Sequence, residues 1–337
     1  MSGKNVIAIT MGDPAGVGPE IILKSFLDAR LWQKGIPIVV GDYKVLKEVK
    51  DRLDINVEIK QILNIEEAIC ATGALPVLDL MMICDVCALP VGEVSSVAGK
   101  AAVQYVRKAV DLALGGEVKG IATAPINKQA IKEAGFHYIG HTEMLSEMSG
   151  HKKIITMFMV NKLKIFFHSR HLSLRQATKV LTVDSVFETI LFAERCLRSL
   201  GYKKCSLALA ALNPHGSDGG MFGNEEERIL IPACEKARKK GIQVEGPIPA
   251  DSVFHLGFEG KYDAIVSLYH DQGHIAAKTY DFYQTVSVTL GLPFVRTSVD
   301  HGTAFDIAWK GVINPVSMTE AILTCFDLSE RYSPIEL

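Results

Sequence analysis

Short runs of apolar, often β-branched residues alternate with amphipathic stretches along most of this chain. We assign eight of these runs to strands: residues 6–10, 36–40, 120–123, 154–160, 163–167, 206–211, 264–268 and 294–299. Strands that are separated by helices form βαβ units, which pair in a mostly parallel sheet. The alternation therefore predicts the α/β fold class.

The helical segments show a different periodicity. In the clearest one, Val103, Val106 and Val110 recur at spacings of three or four, after a serine N-cap at position 95 or 96 and before Gly115. Further helical patterns cover residues 172–180 and onward, 186–199 and 225–240. Together with the strands, these segments predict several βαβ crossings.

Length and charge narrow the range of functions. The 337 residues are enough for two domains or one large α/β unit. With 48% apolar residues and a formal net charge of −2, disorder is excluded and a dedicated nucleic-acid binder is disfavoured. Because no Pro/Gly/Ser-rich linker is visible, we expect two lobes joined by structured crossings, with the chain returning to its first lobe.

Cysteines and hydropathy predict a cytoplasmic protein. The seven cysteines are odd in number and scattered, which is not a disulfide framework, and Cys84-x-x-Cys87 is interpreted as a pair of incidental thiols. The most hydrophobic stretch, residues 74–91, is interrupted by Asp79 and Asp85, so we expect no membrane span. The first apolar run is too short for a signal peptide.

Two loops that follow predicted strands are rich in residues that suit ligands. Residues 10–20 read Thr-Met-Gly-Asp-Pro-Ala-Gly-Val-Gly-Pro-Glu, which is neither a P-loop nor a Rossmann fingerprint. Residues 123–128 read Thr-Ala-Pro-Ile-Asn-Lys, and Gly-His-Thr-Glu at 140–143 opens a helical pattern. These segments suit an anionic group such as phosphate, although a tight strand–helix turn and helix capping explain them equally well.

Histidines also follow predicted strands. His171 comes closely after one strand, and His215 and His270 each follow another. Three such imidazoles could meet and bind a divalent cation with an open coordination position. They are separated by 215 − 171 = 44 and 270 − 215 = 55 residues, so no compact metal signature exists, and hydrogen-bonded structural histidines remain the alternative.

A fourth segment, residues 289–315, combines glycines and prolines with polar side chains. It contains Arg296, His301, Asp306 and Asn314. Polar residues on a segment that is rich in glycine and proline are typical of binding loops.

Taken together, these segments resemble the 4-hydroxythreonine-4-phosphate dehydrogenase family of vitamin B6 biosynthesis over nearly the whole chain. The most specific markers are the Gly-His-Thr-Glu, Asn-Pro-His-Gly, Tyr-His-Asp-Gln-Gly and Arg-Thr-Ser-Val-Asp-His-Gly-Thr-Ala sequences at 140–143, 213–216, 269–273 and 296–304. The last one is also similar to a segment of isopropylmalate and isocitrate dehydrogenases.

The resemblance implies a two-lobed α/β/α fold of the isocitrate/isopropylmalate dehydrogenase type, which binds NAD without a Rossmann domain. We expect residues 1–125 and 278–337 to form lobe 1, on the dinucleotide side, and residues 126–277 to form lobe 2, on the metal, substrate and dimer side. The resemblance further implies a homodimer with a shared active site, and no nucleic-acid or membrane partner.

The resemblance also implies roles for individual residues. The metal ligands are His171, His215 and His270. The substrate-binding positions are His141, Thr142, Lys278, Ser287 and Arg296, with Asp251 and Asp271 also at the site. The dinucleotide segment includes His301, Asp306, which suits ribose hydroxyls, and Asn314 on the adenine side. Zn²⁺, Mg²⁺, Mn²⁺ and Co²⁺ all remain candidates for the cation.

The implied activity is NAD-dependent oxidation, with decarboxylation, of a 4-phosphorylated four-carbon hydroxy acid. Lys278 is the candidate for proton transfer, and Asp271 the candidate for orienting a ligand or binding substrate. The sequence departs from the biosynthetic pattern at Ser287, where asparagine is expected, and at residues 274–278.

Because the sequence departs from the pattern at these positions, other substrates are alternatives. D-threonate or D-erythronate 4-phosphate is the main alternative, and a cis-dihydrodiol is more distant. A phosphotransacetylase-like acyltransferase and a ligand-binding module without turnover are the alternatives outside the dehydrogenases. The acyltransferase leaves the histidines and the segment 301–314 unexplained.

Overall fold

The computed structural model describes residues 5–69 and 73–335. The strands are β1 (Val6–Thr10), β2 (Ile36–Gly41), β3 (Ile59–Ile62), β4 (Leu75–Asp79), β5 (Gly120–Thr123), β6 (Ile155–Val160), β7 (Leu163–Phe167), β8 (Ser206–Ala210), β9 (Gln243–Ile248), β10 (Ala264–Ser267), β11 (Val286–Leu290) and β12 (Val295–Ser298). The α-helices are α1 (Gly18–Ser25), α2 (Ala29–Lys34), α3 (Tyr43–Arg52), α4 (Glu66–Ile69), α5 (Ser96–Leu114), α6 (Lys128–Glu133), α7 (His141–Ser149), α8 (Leu174–Lys179), α9 (Val183–Ser199), α10 (Ile231–Lys239), α11 (Ala250–Phe258), α12 (His270–Tyr280) and α13 (Val316–Ser329). Short 3₁₀ turns lie at Pro214–Ser217 and Phe305–Ile307, and a π-helical turn lies at Glu226–Leu230.

The chain divides into two compact units. Unit 1 contains the residues up to Ile154 together with Leu292–Pro334, and unit 2 contains Ile155–Gly291. In unit 1 the strand order is β3-β4-β2-β1-β5-β12, and these neighbours are parallel. In unit 2 the order is β11-β6-β7-β10-β8-β9, where β6 is antiparallel to β11 and β7 and the other pairs are parallel. The predicted α/β class with mostly parallel pairing is confirmed.

The crossings between the units lie after Ile154 and Gly291, whereas the sequence analysis places them near residues 125 and 277. The segment after β5 stays in unit 1 because α6 and α7 pack against α5. Residues beyond 277 stay in unit 2 because β11 pairs along its whole length with β6.

Exposure to solvent accounts for two of the four strands that were not recognisable in the sequence, β3 and β9. The central strands of unit 1 are almost completely buried, so they read as continuous apolar runs. β3 and β9 end their strand orders and carry exposed polar residues, whereas β4 lies inside the hydrophobic stretch 74–91 and β11 alternates apolar and hydroxyl side chains. The eight predicted strands end within one residue of their expected positions.

Both units bring the loops of interest to the carboxyl ends of their parallel strands. The 10–20 loop follows β1, and residues 123–128 follow β5, its neighbour in unit 1. The helix predicted after Ser95 is α5, although among the described residues that serine's side chain makes no capping hydrogen bond. Within the described part of the chain, no helix is long and apolar enough to cross a membrane.

The six described cysteines are free thiols. Cys84 and Cys87 are exposed, whereas the other four are buried: Cys196, Cys205, Cys234 and Cys325. Cys70 lies outside the described residues. Burial raises the pKa of the Cys234 thiol to about 11, so this thiol is protonated and unreactive at neutral pH.

Candidate active site

Three histidines follow three adjacent strands of unit 2. His171 lies in the loop after β7, His270 is the first residue of α12 directly after β10, and His215 lies in the turn after β8. The strand order β7-β10-β8 makes these strands neighbours, and each pair is parallel. The three imidazoles are therefore carried to one edge of the same sheet, although they are far apart in sequence.

Two of these rings, those of His171 and His270, lie near each other. The ring centroids of His171 and His270 are 6.5 Å apart. The Nδ1–H of His270 donates a hydrogen bond of 2.7 Å to Oδ1 of Asp271, which leaves its Nε2 for a ligand. A carboxylate on the second ring nitrogen is the usual neighbour of a metal-binding histidine. A cavity of about 190 Å³ lies here, lined by Arg170, Leu172, Leu174, Tyr269, His270 and Asp271.

The third histidine is on the neighbouring strand end but does not complete a preformed cluster. Within residues 5–69 and 73–335, no three His, Cys, Asp or Glu side chains already lie in positions that could hold a metal ion. His215 is exposed, and its backbone has a positive φ of 55°. The donor chemistry nevertheless fits a cation, because three neutral imidazoles suit Zn²⁺ and its first-row neighbours.

His168, the neighbouring histidine in sequence, has a structural role. Its Nδ1 is hydrogen-bonded to Oγ1 of Thr189 at 2.9 Å, on α9, and its backbone N–H donates to Ser267. Burial lowers the pKa of its imidazole. It therefore anchors the end of β7 and points to helix α9.

His274, which is not among the predicted site residues, packs directly against His270. The two rings are stacked with centroids 3.5 Å apart and an angle of 12° between their planes. His274 Nδ1–H donates to the carbonyl of His270 at 2.8 Å, and its ring also contacts Phe158 and Phe167. The signal in the sequence is the i, i+4 spacing of the two histidines, which places them on one face of a helix once α12 is known.

The other site residues predicted in unit 2 lie on three different elements: α11, α12 and β11. Asp271 is bonded to His270, whereas Lys278 lies in the last turn of α12, with its Nζ 5.2 Å from the ring centroid of Phe282. Asp251 is exposed in the first turn of α11. Ser287 is buried on β11, directly opposite Phe158 on β6.

In unit 1, Arg296 is buried and lies close enough to His141 to act on it electrostatically. Arg296 is 4% exposed, and both Nε and Nη2 of its guanidinium donate to Oγ1 of Thr123, at 3.0 and 2.6 Å. Burial, together with the positive charge of Arg296, lowers the pKa of His141 well below its usual range. His141 is therefore neutral at pH 7, and its buried Nε2 has no hydrogen-bond partner among the described residues.

His141 and Thr142 also begin helix α7, where Gly140 is the N-cap. Backbone N–H groups at a helix N-terminus favour anions. The structure thus brings together Thr123, His141 and Arg296, and it places Thr142 beside them in sequence on the same helix turn. This arrangement suits a phosphate or a carboxylate.

The 10–20 loop is closely packed and contains a buried acid. A Cβ at Gly12, whose φ is +72°, would lie 2.3 Å from the carbonyl oxygen of Pro125, so glycine is required there. Asp13 accepts a hydrogen bond from the N–H of Ala15 at 2.9 Å. Burial raises the pKa of Asp13 to about 7, and no described residue bonds its Oδ2.

The predicted dinucleotide segment packs against this loop. Val17 donates its N–H to the carbonyl of Thr303 at 3.0 Å. Asp306 and Asn314 are exposed, and Oδ1 of Asn314 accepts from the N–H of Val316 at the start of α13. His301 is partly exposed, with its Nδ1 bonded to the carbonyl of Gly302. The three side chains belong to one segment at the carboxyl end of β12.

Comparisons with known proteins agree along almost the whole chain. The model of the family "PdxA: Pyridoxal phosphate biosynthetic protein PdxA" matches residues 33–325. A Clostridium botulinum protein named "Putative D-threonate 4-phosphate dehydrogenase" is 46% identical over 334 residues, which cover 99% of this chain and 98% of that protein.

Solved structures give the same result. A 4-hydroxythreonine-4-phosphate dehydrogenase from Klebsiella pneumoniae is 40% identical, with a TM-score of 0.88 and coverage of 97% of this chain and 98% of that chain. One from Burkholderia phymatum is 38% identical, with a TM-score of 0.85 and coverage of 97% and 99%.

Proposed function

Since this chain belongs to the PdxA family, we propose that it is an NAD- and divalent-metal-dependent dehydrogenase. It oxidises and decarboxylates a 4-phosphorylated four-carbon hydroxy acid of the 4-hydroxythreonine 4-phosphate type. The observation that carries this proposal is the set of three imidazoles, His171, His215 and His270, at the carboxyl ends of three adjacent strands. The resemblance predicted from the sequence motifs is confirmed by the family match.

The three histidines hold the cation, and Asp271 orients His270 by accepting from its Nδ1–H. When bound, a divalent cation supplies Lewis-acid stabilisation of the reacting oxygens, and NAD supplies the hydride acceptor. Zn²⁺ suits the imidazole donors best, while Mn²⁺, Co²⁺ or Mg²⁺ fits if substrate oxygens complete the coordination.

The anionic groups of the substrate are bound in unit 1 by Arg296, His141 and Thr142. Arg296 supplies a permanent buried charge, and neutral His141 offers an Nε2 that has no hydrogen-bond partner among the described residues. The charge of Arg296 favours phosphate or carboxylate oxygens over neutral groups, because a bound anion gains a charge-assisted hydrogen bond away from water, and His141 adds a donor in the tautomer that is protonated at Nε2.

Unit 2 supplies the groups that move protons. Lys278, in the last turn of α12, transfers the proton at the reacting carbon or oxygen as the general acid–base of the site. Asp271 and Asp251 bind the substrate's hydroxyl or ammonium group, and Ser287 contacts the substrate from β11.

The cofactor is held by the segment that carries His301, Asp306 and Asn314. The carboxylate of Asp306 is exposed and suits the two ribose hydroxyls, which makes NAD a better ligand than NADP. Asn314 lies on the adenine side.

We propose that the working form is a homodimer with a shared active site. Exposed apolar side chains on and after α12, including Ile275, Tyr280 and Phe282, support a partner surface in unit 2. Light scattering coupled to size-exclusion chromatography tests this, and a monomer at micromolar concentration contradicts it.

A second substrate is favoured by a specific observation. Ser287 stands where biosynthetic enzymes of the family have asparagine, and curated relatives carry the D-threonate 4-phosphate name. A serine hydroxyl both donates and accepts, so it accommodates a 2-hydroxyl as well as a 2-amino group. D-threonate or D-erythronate 4-phosphate is therefore the alternative substrate.

The test is a panel of 4-phosphorylated four-carbon acids, with and without the 2-amino group, assayed for NAD reduction by absorbance. We expect turnover of the 2-amino acid, loss of activity with a chelator, and recovery with added cation. Turnover of the 2-hydroxy acids alone selects the alternative. NAD reduction by none of them, with acyl transfer from an acyl phosphate to coenzyme A, contradicts both.

The variant His270→Ala is expected to lose nearly all activity. His255→Ala is the matched control, because His255 is exposed on α11 and takes no part in the proposed site. Full activity of His270→Ala in the presence of a chelator contradicts the metal site.

A further inference from the structure

Gln272 joins two of the strand ends that carry the candidate metal ligands. Its Oε1 accepts hydrogen bonds from the N–H of Leu268 at 2.8 Å and from Oγ of Ser267 at 3.3 Å. Its Nε2 donates to the carbonyl of Ala211 at 2.7 Å. The side chain is buried, and both ends of its planar amide are therefore engaged.

These bonds connect segments that are distant in sequence. Leu268 follows β10 two residues before His270, and Ala211 follows β8 four residues before His215. One rigid amide thus spans the gap between the two histidine-bearing loops. Because an amide has a fixed length and separate donor and acceptor ends, it sets the spacing of these loops more tightly than apolar packing does.

Further hydrogen bonds from buried side chains hold the backbone at the ends of these strands. Oγ of Ser169, near the end of β7, donates to the carbonyl of Leu268 at 2.9 Å. The buried carboxylate of Glu226 accepts from the backbone N–H groups of Leu212 and Asn213 at 2.8 and 2.7 Å, and from the Asn213 amide at 2.8 Å. The strand ends behind all three histidines are therefore fixed by buried polar side chains.

We propose that Gln272 is a positioning residue, which holds the His215 and His270 loops at the separation that a shared divalent cation requires. The inference rests on the metal site of the proposed function. Gln272 does not touch the cation itself: its polar atoms are used by Ser267, Leu268 and Ala211.

The experiment is a titration of the purified, metal-free full chain with Co²⁺, followed by its visible absorption. In Gln272→Met, which keeps the length and volume but removes the bonds, we expect Co²⁺ to bind about 10–100-fold more weakly. We also expect an altered absorption band, because the ligand geometry changes. Ser199→Ala is the matched control, since it removes a buried hydrogen bond to Cys196 in the same unit, and its Co²⁺ affinity should equal that of the wild type.

The outcomes separate this inference from the proposed function. If the wild type binds Co²⁺, His270→Ala does not, and Gln272→Met matches the wild type in affinity and spectrum, the inference is overturned while the metal site stands. If the wild type and His270→Ala bind Co²⁺ equally, the metal site itself fails. Should Gln272→Met not fold, Gln272→Glu replaces the Nε2 donor to Ala211 by a carboxyl oxygen, and a Co²⁺ affinity and an absorption spectrum that both match the wild type overturn the inference.

Discussion

Asp13 is a carboxylic acid whose protonation is coupled to folding. Burial raises its pKa from 3.8 to about 7 in the native chain. Between these values, the native state keeps a proton that the unfolded state has released, so the stability contributed by this group falls as the pH rises from about 4 to about 7.

We expect Asp13→Asn to remove this loss while keeping the acceptor for the N–H of Ala15. The free energy of unfolding of the variant minus that of the wild type should be about 2–3 kcal/mol more positive at pH 8 than at pH 5. Denaturant unfolding at both pH values measures this. An equal effect at the two pH values contradicts the buried-acid explanation.

The stacked ring of His274 leads to a second prediction. A flat ring beneath His270 fixes the plane of its imidazole, and an aliphatic side chain cannot do this. We expect His274→Leu to weaken Zn²⁺ binding about 3–10-fold, and His274→Phe to retain more of the affinity. Calorimetric titration compares them, and equal affinities for Leu and Phe variants contradict a stacking role.

At the residue scale, a candidate site residue could be predicted from the sequence when it closely follows a strand. His171, His215 and His270 could be singled out because each follows an apolar strand. Gln272 and Asp13 could not be assigned a role, because their importance comes from neighbours that are brought close only by the fold.

At the element scale, helices α5 and α6 are in contact at a glycine. A Cβ on Gly99 would lie 2.1 Å from the carbonyl oxygen of Ala130, at the start of α6. No flexible side chain is available to move aside there, because the obstructing atoms are backbone.

We therefore expect Gly99→Ala to destabilise the protein by about 2–3 kcal/mol or more, despite the better helix propensity of alanine. Gly115→Ala is the matched control at the other end of α5, where φ is −73° and the nearest atom lies at 3.3 Å, and it should change stability by less than about 1 kcal/mol. Thermal unfolding compares the two. A more stable Gly99→Ala variant contradicts the close packing of these helices.

Burial helped to make strands predictable from the sequence, although β4 and β11 are buried along their whole length and were not predicted. β1, β5 and β7 read as strands because both faces are covered. β3 and β9 did not, since polar residues at the ends of a strand order obscure the apolar pattern.

At the scale of the whole molecule, the candidate cation links stability to binding. A cation that binds only the native state stabilises it by about 2.7 kcal/mol at 100 times its dissociation constant. We expect added Zn²⁺ to raise the melting temperature of the chelator-treated protein by several degrees, and His270→Ala to abolish this shift. The control His255→Ala should retain it, and an equal shift in all three proteins contradicts specific binding.

The net charge of −2 gave no indication of the proposed anion-binding site, because charge summed over 337 residues does not report local clusters. Arg296 and His141 are 155 residues apart in sequence, and only the fold brings them together. Motif resemblance predicted the family and the fold class, whereas the contacts within each unit required the structure.

The strand order β7-β10-β8 has a consequence for the order of events in folding. β10 enters between two strands that precede it in the chain, and it brings His270 with it. The candidate ligands therefore converge only when this long-range insertion is complete. A cation that binds only after this insertion should slow unfolding and leave the refolding rate nearly unchanged. It would then stabilise the completed sheet and contribute little to its nucleation.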